Sequence, residues 1–213
     1  MKRCFIFAAG TFFGLREVPE PGDLVLAADA GYRTCRDLSL VPDLVLGDFD
    51  SMEVPAGFPR VLRVPAEKDD TDTMLAARTG LERGCDRYYL YGGTGGKRLD
   101  HTLANLQLLL WLRRRGAQGW LYDDDFVYTV ICDESIRLPK TVEWGLVSVF
   151  AADGTACGIS ERGVQYPLED ARLQPDFPLG VSNHIVAPQA EITVQKGALI
   201  VGWELPHLKH PLF

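Results

Sequence analysis

The fold of this chain is decided by residues 88–112, which read YYLYGGTGGKRLDHTLANLQLLLWL. The run Tyr88–Tyr91 is apolar or aromatic, and a glycine-rich turn follows it directly. Leucines then recur at positions 99, 103, 106 and 110, at spacings of four, three and four, which is the periodicity of a helix with an apolar face. A strand that passes through a glycine-rich turn into a helix is typical of an α/β fold.

The alternation of strands and helices extends over the whole first half of the chain. Short apolar runs predict the strands Cys4–Ala9, Leu24–Ala28, Leu44–Leu46, Val61–Val64 and Tyr88–Tyr91. Amphipathic patterns between and after them predict the helices Ala30–Leu38, Thr71–Arg83 and Asp100–Arg115. This order predicts a mainly parallel sheet with helices packed on its faces.

After Gly116 the pattern changes to strand-like runs alone, which predict an all-β second domain. Ala190–Gln195 and Ala198–Trp203 are joined by a short glycine-containing connection, and we expect them to form a β-hairpin. We place the boundary near residues 116–125, with an α/β domain over residues 1–118 and a smaller all-β domain over residues 119–213. The other predicted strands of the second domain are Trp120–Tyr122, Phe126–Cys132, Leu146–Ala151 and Val164–Tyr166.

Composition excludes several classes of protein. The chain has 213 residues, of which 46% are apolar, and this is enough for a packed core. Its net charge of −7 and its lack of a basic run argue against a nucleic-acid or anionic membrane surface. No apolar run is long enough to span a bilayer, and the N-terminal run is interpreted as a buried strand rather than a signal peptide. The five cysteines form no Cys-x-x-Cys pair, which predicts reduced thiols and a cytoplasmic location.

Aspartates stand where predicted strands end and predicted helices begin. In an open α/β sheet, ligands bind beyond the carboxyl ends of the strands. Two ionised carboxylates about 5 Å apart repel each other by roughly 3 kcal/mol at an effective dielectric constant near 20, so such a cluster needs a cation. Mg²⁺ fits because it prefers carboxylate and phosphate oxygens. The aspartates in question are Asp29, Asp48, Asp50, Asp69, Asp70, Asp72 and Asp100.

Some of these aspartates also suit purely structural roles. Asp70 or Thr71 is a good helix N-cap, and Asp72 in the first helical turn is favoured by the helix dipole. Asp100 opens a helix in the same way, while Asp29 fits a turn. The coincidence of four acidic motifs at one predicted edge nevertheless favours a metal and phosphate site.

The glycine-rich loop at residues 92–98 is a second candidate for phosphate binding. Its backbone N–H groups, with Lys97 and Arg98, can cradle phosphate. The loop is not a Walker A sequence, because Tyr91 stands where the first glycine belongs and Arg98 stands where Ser or Thr belongs. His101, at the predicted helix start, either caps the helix locally or reaches a substrate. The acidic run at residues 123–125 is interpreted as a solvated turn or linker.

Six segments, in order along nearly the whole chain, resemble the thiamine pyrophosphokinase (thiamine diphosphokinase) family in its bacterial form. Each segment is weakly specific by itself, but six in order are strongly specific. They are ADAG at 28–31, PDLVLGDFDS at 42–51, EKDDTDTM at 67–74, GGTGGKRLDH at 92–101, GVQYPL at 163–168 and GVSN at 180–183.

The resemblance implies a fold and a reaction. It implies an N-terminal α/β catalytic domain, a C-terminal β-sandwich and a homodimer with thiamine sites at its interface. The implied reaction passes the β,γ-diphosphate of ATP to the thiamine hydroxyl, giving thiamine diphosphate and AMP, with Mg²⁺ as the cofactor. Catalysis of this kind depends on positioning and charge neutralisation.

The resemblance also suggests roles for individual residues. Mg²⁺ is assigned to Asp48, Asp50 and Asp72, with Asp29 and Asp100 completing the acidic shell or accepting the hydroxyl proton. ATP phosphates are assigned to Gly93, Thr94, Gly95, Gly96, Lys97 and Arg98. Thiamine is assigned to His101, Tyr166, Ser182 and Asn183, with Tyr166 stacking on the rings and Ser182 and Asn183 donating hydrogen bonds or shaping the pocket. Tyr166 replaces the tryptophan of animal members, and its alternative is a buried strand tyrosine.

Two other readings of the same residues remain open. A haloacid-dehalogenase-type phosphatase uses an Asp-x-Asp motif after a strand, as Asp48 and Asp50 provide, but here the motif follows a later strand than the first. A ligand-sensing module would bind the nucleotide or thiamine without turning it over. A trapped phospho-aspartate would favour the phosphatase, and binding without AMP production would favour the sensor.

Overall fold

The computed structural model describes residues 1–49, 60–63 and 70–208. Its described part contains a ten-stranded sheet and a four-stranded sheet. The helices are α1 (Gly31–Asp37), α2 (Asp72–Glu82) and α3 (Leu99–Arg113). The strands are β1 (Arg3–Phe7), β2 (Leu24–Ala28), β3 (Leu44–Gly47), β4 (Val61–Arg63), β5 (Arg87–Tyr91), β6 (Gln118–Tyr122), β7 (Phe126–Cys132), β8 (Ser135–Pro139), β9 (Leu146–Ala151), β10 (Ala156–Arg162), β11 (Leu168–Leu173), β12 (Gly180–His184), β13 (Gln189–Thr193) and β14 (Ala198–Glu204).

The first six strands form the parallel part of the large sheet, in the order β6-β5-β1-β2-β3-β4. Strands β1 and β2 are almost entirely buried, as expected for central strands covered on both faces. Helices α2 and α3 pack on one face and α1 packs on the other. The predicted α/β architecture is therefore confirmed.

Aromatic residues form two rows across the face that α1 covers. Phe5 stacks on Tyr89 with ring centroids 4.8 Å apart, and Tyr89 stacks on Trp120 at 5.3 Å. In the second row, Tyr91 stacks between Phe7 and Tyr122. Such stacked pairs add to the free energy gained by burying the rings.

The remaining strands of the large sheet are antiparallel and continue it without a break, in the order β12-β9-β14-β7-β6. The four-stranded sheet, in the order β11-β10-β13-β8, packs against this antiparallel part across an apolar core that includes Val149, Ile159, Ile192 and Val201. Two face-packed antiparallel sheets form a β-sandwich. The β-rich second half is thus also confirmed, although its large sheet is shared with the α/β half.

The expected hairpin of residues 190–203 is wrong. Strand β13 pairs with β8 and β10 in the small sheet, whereas β14 pairs with β7 and β9 in the large sheet. The connection at Lys196-Gly197 therefore crosses from one sheet to the other. The Lys196 carbonyl accepts from the Cys157 amide at 2.8 Å, and the Gly197 amide donates to Asp133 Oδ1 at 2.8 Å.

The predicted strand Val164–Tyr166 is also wrong, since only Val164 forms an isolated bridge, to Ile185.

The domain boundary between residues 118 and 119 stays a prediction. It falls at the first residue of β6, which belongs to the parallel part because it pairs with β5. In the part of the chain that the structure describes, no helix is long and apolar enough to cross a membrane.

Candidate active site

The ends of β2 and β3 bring two of the predicted aspartates to the same edge of the sheet. Asp29 follows β2 directly, and its amide donates to the Leu46 carbonyl of β3 at 2.8 Å. Gly47 ends β3, and a Cβ atom at that position would lie 3.3 Å from the Cβ of Asp29. Asp48 comes next along the chain, so the Asp29 and Asp48 carboxylates leave neighbouring strands at the carboxyl edge of the sheet.

The backbone around these two aspartates has unusual conformations. Asp29 has φ of 48° and Phe49 has φ of 59°, both in the left-handed region. Residues other than glycine are found there infrequently, and such conformations cluster at functional sites. Asp29 is also buried, with 9% of its surface exposed. These features distinguish this edge from an ordinary solvated turn.

The other predicted metal ligands are placed less completely. Asp50 and Asp69 lie outside the described residues. Asp72 is the first residue of α2, after Thr71, whose side chain accepts a hydrogen bond from the Met74 amide at 3.1 Å. Because a crossover helix runs antiparallel to the strands, its N-terminus begins at their carboxyl edge. Within residues 1–49, 60–63 and 70–208, no three His, Cys, Asp or Glu side chains form a metal-binding group, and the predicted metal ligands stay a prediction.

The glycine-rich loop after β5 is fixed by its carbonyl groups. The carbonyl oxygens of residues 92–95 accept hydrogen bonds from the Gly10 amide (2.8 Å), Asn105 Nδ2 (2.8 Å), the Thr11 amide (3.1 Å) and the Thr11 hydroxyl (2.7 Å). In a trans peptide the N–H points opposite to the C=O of the preceding residue, and no described peptide bond is cis. Each amide of residues 93–96 therefore points away from the donor that binds the preceding carbonyl oxygen, and backbone amides of such a loop can bind phosphate.

Three residues that hold this loop escaped the sequence analysis. Thr11 comes from the segment after β1, and Asn105 is buried in the middle of α3. Asp123 follows β6 and accepts a hydrogen bond from the buried Thr94 hydroxyl at 2.8 Å. The interpretation of residues 123–125 as only a solvated turn is thus wrong for Asp123. The sequence feature that could have identified Asn105 is its position as a polar residue on an otherwise apolar helix face.

The charged residues at the start of α3 are exposed, and two of them, Arg98 and Asp100, form an ion pair. Arg98 donates to Asp100 through Nε at 2.9 Å and through Nη2 at 2.5 Å. This pairing with the Arg98 guanidinium lowers the pKa of Asp100 to about 2. Lys97 and His101 are also exposed. Asp100 is therefore bound to Arg98 at the helix start, and the predicted roles of both residues toward ligands stay predictions.

Of the residues assigned to thiamine, His101 lies beside the glycine-rich loop, whereas Tyr166, Ser182 and Asn183 lie at or beside β12, at the end of the large sheet opposite to β4. The Tyr166 side chain is 64% exposed, so the alternative of a buried strand tyrosine is wrong. Ser182 is exposed on β12, with φ of 59°, and its amide donates to Ser148 Oγ at 3.0 Å. Asn183 is buried, and its amide group binds the Tyr166 backbone. Among the predicted roles of Asn183, shaping the pocket fits this arrangement better than direct contact with a ligand.

Comparisons with known proteins agree on one family. The sequence model described as "Thiamin pyrophosphokinase, catalytic domain" matches residues 15–121, and the model described as "Thiamin pyrophosphokinase, vitamin B1 binding domain" matches residues 133–199. A thiamine pyrophosphokinase of Bacillus subtilis is 27% identical over 184 residues, covering 84% of this chain and 86% of that relative.

Solved structures show the same fold. The crystal structure of thiamine pyrophosphokinase from Bacillus subtilis has a TM-score of 0.84 and 24% identity, and the match covers 96% of this chain and 99% of that one. Thiamin pyrophosphokinase from Geobacillus thermodenitrificans has a TM-score of 0.80 and 26% identity, with 97% and 98% covered. The similarity thus extends over both halves of the molecule.

Proposed function

The chain belongs to the thiamin pyrophosphokinase family, and we propose that it transfers the diphosphate of ATP to the hydroxyl of thiamine, giving thiamine diphosphate and AMP. The observation that carries this proposal is the presence of a catalytic segment and a vitamin B1-binding segment, in that order, in one chain. The thiamine hydroxyl oxygen forms a bond to the β-phosphorus of ATP. The bond from that phosphorus to the oxygen that bridges the α- and β-phosphates breaks, and AMP leaves with that oxygen. The hydroxyl proton passes to a carboxylate or to water.

The glycine-rich loop is proposed to hold the ATP phosphates. Its four carbonyl groups are tied to the protein, so the amides of residues 93–96 are oriented before ATP arrives. Preorganised N–H groups stabilise developing negative charge because they need not reorient during the reaction. Lys97 adds an exposed positive charge beside the loop, and Arg98 joins it while it remains paired with Asp100.

The acidic edge is proposed to bind Mg²⁺. The carboxylates of Asp29 and Asp48, which leave adjacent strand ends, fit this ion because they offer hard oxygen ligands and repel each other without a cation. Asp48, Asp50 and Asp72 would hold the ion, while Asp29 and Asp100 would complete the acidic shell or take the hydroxyl proton. When bound, Mg²⁺ neutralises phosphate charge.

Thiamine is proposed to bind between two copies of the chain. Strand β12 lies five strand positions from β5, which corresponds to about 24 Å at the usual strand spacing. One copy therefore does not bring its own Tyr166 near its own glycine-rich loop. A homodimer removes this difficulty if Tyr166 and Ser182 of one copy, with Asn183 buried beneath Tyr166, face the loop and His101 of its partner. The exposed Tyr166, Phe177, Leu179 and Val181, in or near β12, supply an apolar surface for such contact.

We place the enzyme in the cytoplasm. All five cysteines are free thiols in the structure. Cys4, Cys35 and Cys85 are buried and Cys132 is partly buried. Free thiols are typical of a reducing compartment.

Incubation with ATP, Mg²⁺ and thiamine, followed by analysis of the nucleotides, tests the proposed function. AMP and thiamine diphosphate should appear in equal amounts and only when thiamine is present. ADP as the nucleotide product would mean ordinary phosphoryl transfer. Thiamine binding without any nucleotide product would mean a sensor instead of an enzyme.

A further inference from the structure

A carboxyl group is buried between the two sheets of the sandwich, beneath the segment assigned to thiamine. Glu161 lies in β10 of the small sheet and is 1% exposed. Its Oε2 accepts a hydrogen bond from Asn183 Nδ2 of β12 at 3.1 Å, which joins the two sheets. Its Oε1 is buried and has no hydrogen-bond partner. A buried carboxyl group with one oxygen unsatisfied is costly, and a structural core does not need one.

Asn183 uses all of its hydrogen-bonding capacity inside the protein. Nδ2 donates to Glu161 Oε2 and, at 2.8 Å, to the Tyr166 carbonyl. Oδ1 accepts from the amides of Tyr166 and His184, both at 3.0 Å. An asparagine amide has two donor hydrogens and one acceptor oxygen with two lone pairs, so four bonds complete the set. Both polar groups of the Tyr166 backbone are thus held by one side chain.

Glu161 is one of the four groups that fix the orientation of the Asn183 amide, and the other three belong to the backbone. An ionised carboxylate only accepts hydrogen bonds, so Nδ2 and not Oδ1 must face it. If the amide turned over, Oδ1 would face the Glu161 carboxylate and Nδ2 would face the amides of Tyr166 and His184. All of those contacts would be repulsive.

We propose that Glu161 is a positioning residue for thiamine: it fixes the Asn183 amide, and through that amide it holds the Tyr166 backbone in place. The inference rests on the proposed function, because it concerns the segment that the vitamin B1-binding match includes. Glu161 lies beneath the site and acts on it only through Asn183. Loss of this anchoring weakens thiamine binding and leaves ATP binding unchanged, since Gly10, Thr11 and Asn105 hold the glycine-rich loop through contacts that involve neither Asn183 nor Tyr166.

The anchoring responds to pH because burial raises the pKa of Glu161 to about 7. Glu161 is in register with Leu168 of β11 and Ile192 of β13, accepts from Asn183 of β12, and has its Oε1 3.4 Å from the place that a Cβ atom would take on Gly180; none of these residues is titratable. His184 is the adjacent titratable residue on β12, but its ring lies against Trp144 and strand alternation turns it away from Glu161. Within the described chain, only burial and the Asn183 hydrogen bond contribute to the Glu161 pKa shift.

Protonation weakens the contact between Glu161 and Asn183. A hydrogen bond to a carboxylate is roughly twice as strong as one to a neutral carboxyl group. We therefore expect the KM for thiamine to rise about threefold as the pH falls through about 7. The KM for ATP should stay constant over the same range.

The experiment measures KM and kcat for both substrates on each side of this pH, in the unmodified enzyme and in two variants. Glu161→Gln keeps an acceptor but cannot ionise, so its thiamine KM should be constant and equal to the low-pH value of the unmodified enzyme. Glu191→Gln is the matched control, because Glu191 lies on the neighbouring strand β13 and pairs with the exposed Arg137. Its thiamine KM should change with pH as in the unmodified enzyme.

Several results would overturn the inference while leaving the proposed function intact. One is a thiamine KM of the unmodified enzyme that is independent of pH. Another is a pH-dependent KM that persists in Glu161→Gln, which would assign the effect to His184 or to the substrate. Absence of AMP production by the unmodified enzyme would instead overturn the proposed function.

A second measurement needs no substitution. Exchange of the Tyr166 amide hydrogen in the unmodified protein, corrected for intrinsic exchange, reports the bond to Asn183 directly. We expect its protection to be about threefold greater above the Glu161 pKa than below it. Equal protection on both sides would overturn the inference even if Glu161→Gln failed to fold.

Discussion

At the scale of single residues, ionisable groups in this molecule show opposite effects of their surroundings. Burial raises the pKa of Glu161 to about 7, because the ionised form loses hydration that one hydrogen bond from Asn183 only partly replaces. The exposed Asp100 has a pKa lowered by its contact with the Arg98 guanidinium. The shift at Glu161 has consequences for stability, because this group is enclosed in the folded protein and hydrated in the unfolded chain.

We predict that Glu161 makes the protein less stable as the pH rises. Its pKa is higher when folded than the ordinary value of 4.5, so the unfolded chain loses its proton first. The contribution of the protonated group is complete below pH 4.5 and is lost as the pH rises through about 7, by about 3 kcal/mol. Urea unfolding at several pH values should show this decline in the unmodified protein and its absence in Glu161→Gln. Parallel pH profiles of the two proteins would contradict the assignment.

We predict that Asp48→Asn lowers diphosphate transfer by at least about 100-fold while the apo protein stays as stable or becomes more stable. The reason is that Asp29 and Asp48 follow the ends of the neighbouring strands β2 and β3, and removing one of two like charges relieves repulsion when no cation is bound. AMP release and thermal melts with and without Mg²⁺ would measure both effects, and Mg²⁺ should stabilise the variant less than the unmodified protein. Undiminished turnover would exclude Asp48 from the metal site.

At the scale of elements, the glycine-rich loop is positioned by residues from three different parts of the chain. The segment after β1 supplies Gly10 and Thr11, α3 supplies Asn105, and the turn after β6 supplies Asp123. Gly10 packs so tightly that a Cβ atom there would lie 2.5 Å from the carbonyl oxygen of Gly92. The conformation of the loop therefore depends on the assembly of the parallel sheet, and the loop sequence alone does not determine it.

We predict that Asn105→Ala raises the KM for ATP and leaves the KM for thiamine little changed. The substitution removes the donor to the Gly93 carbonyl and leaves that group without its bond, at a cost of about 1–3 kcal/mol. Steady-state kinetics with each substrate varied in turn would measure the effect. Gln107→Ala is the matched control, because Gln107 is exposed on the same helix. Equal effects of the two substitutions would contradict a role for Asn105 in holding the loop.

At the scale of the whole molecule, the separation between the glycine-rich loop and β12 is the reason that we propose an active site shared between two copies. Five strand positions separate β12 from β5 in one copy. If two copies complete each other's sites, a mixed dimer of two differently impaired chains contains one site with both impairments and one intact site.

We predict that Lys97→Ala and Tyr166→Ala, each impaired alone, regain activity when they are unfolded together and refolded as a mixture. Half of the dimers should be mixed, and each mixed dimer should have one intact site and one impaired site. The mixture should therefore have about a quarter of the unmodified activity. The AMP-release assay measures it, and each variant refolded alone is the control. No gain on mixing would contradict sites shared between copies.

The sequence predicted local structure well where burial alone determines it. Strands β2, β7 and β9 begin and end at the predicted residues, because each is an apolar or alternating run. Strands β11 and β12 were missed because LEDARL and GVSNH lack a regular apolar pattern. The sequence also does not predict which strands pair with each other. Alternation in residues 190–195 indicates a half-buried strand, but both sheets contain positions for such a strand. Asn105 and Asp123 act on a loop distant in sequence, so no local pattern shows their roles.

The unbroken ten-stranded sheet also limits how this molecule can move. Hydrogen-bonded strands run continuously from β4 through β6 to β12, so within the described residues no flexible linker separates the α/β half from the β-sandwich half. Hinge bending between two rigid bodies, the usual way for a two-domain transferase to close over its substrates, would have to break the pairing of β6 with β7. Exclusion of water during the proposed reaction must therefore come from side chains and loops at the site and, in the proposed homodimer, from the partner copy. The two halves of one chain should keep the same relative orientation through the catalytic cycle.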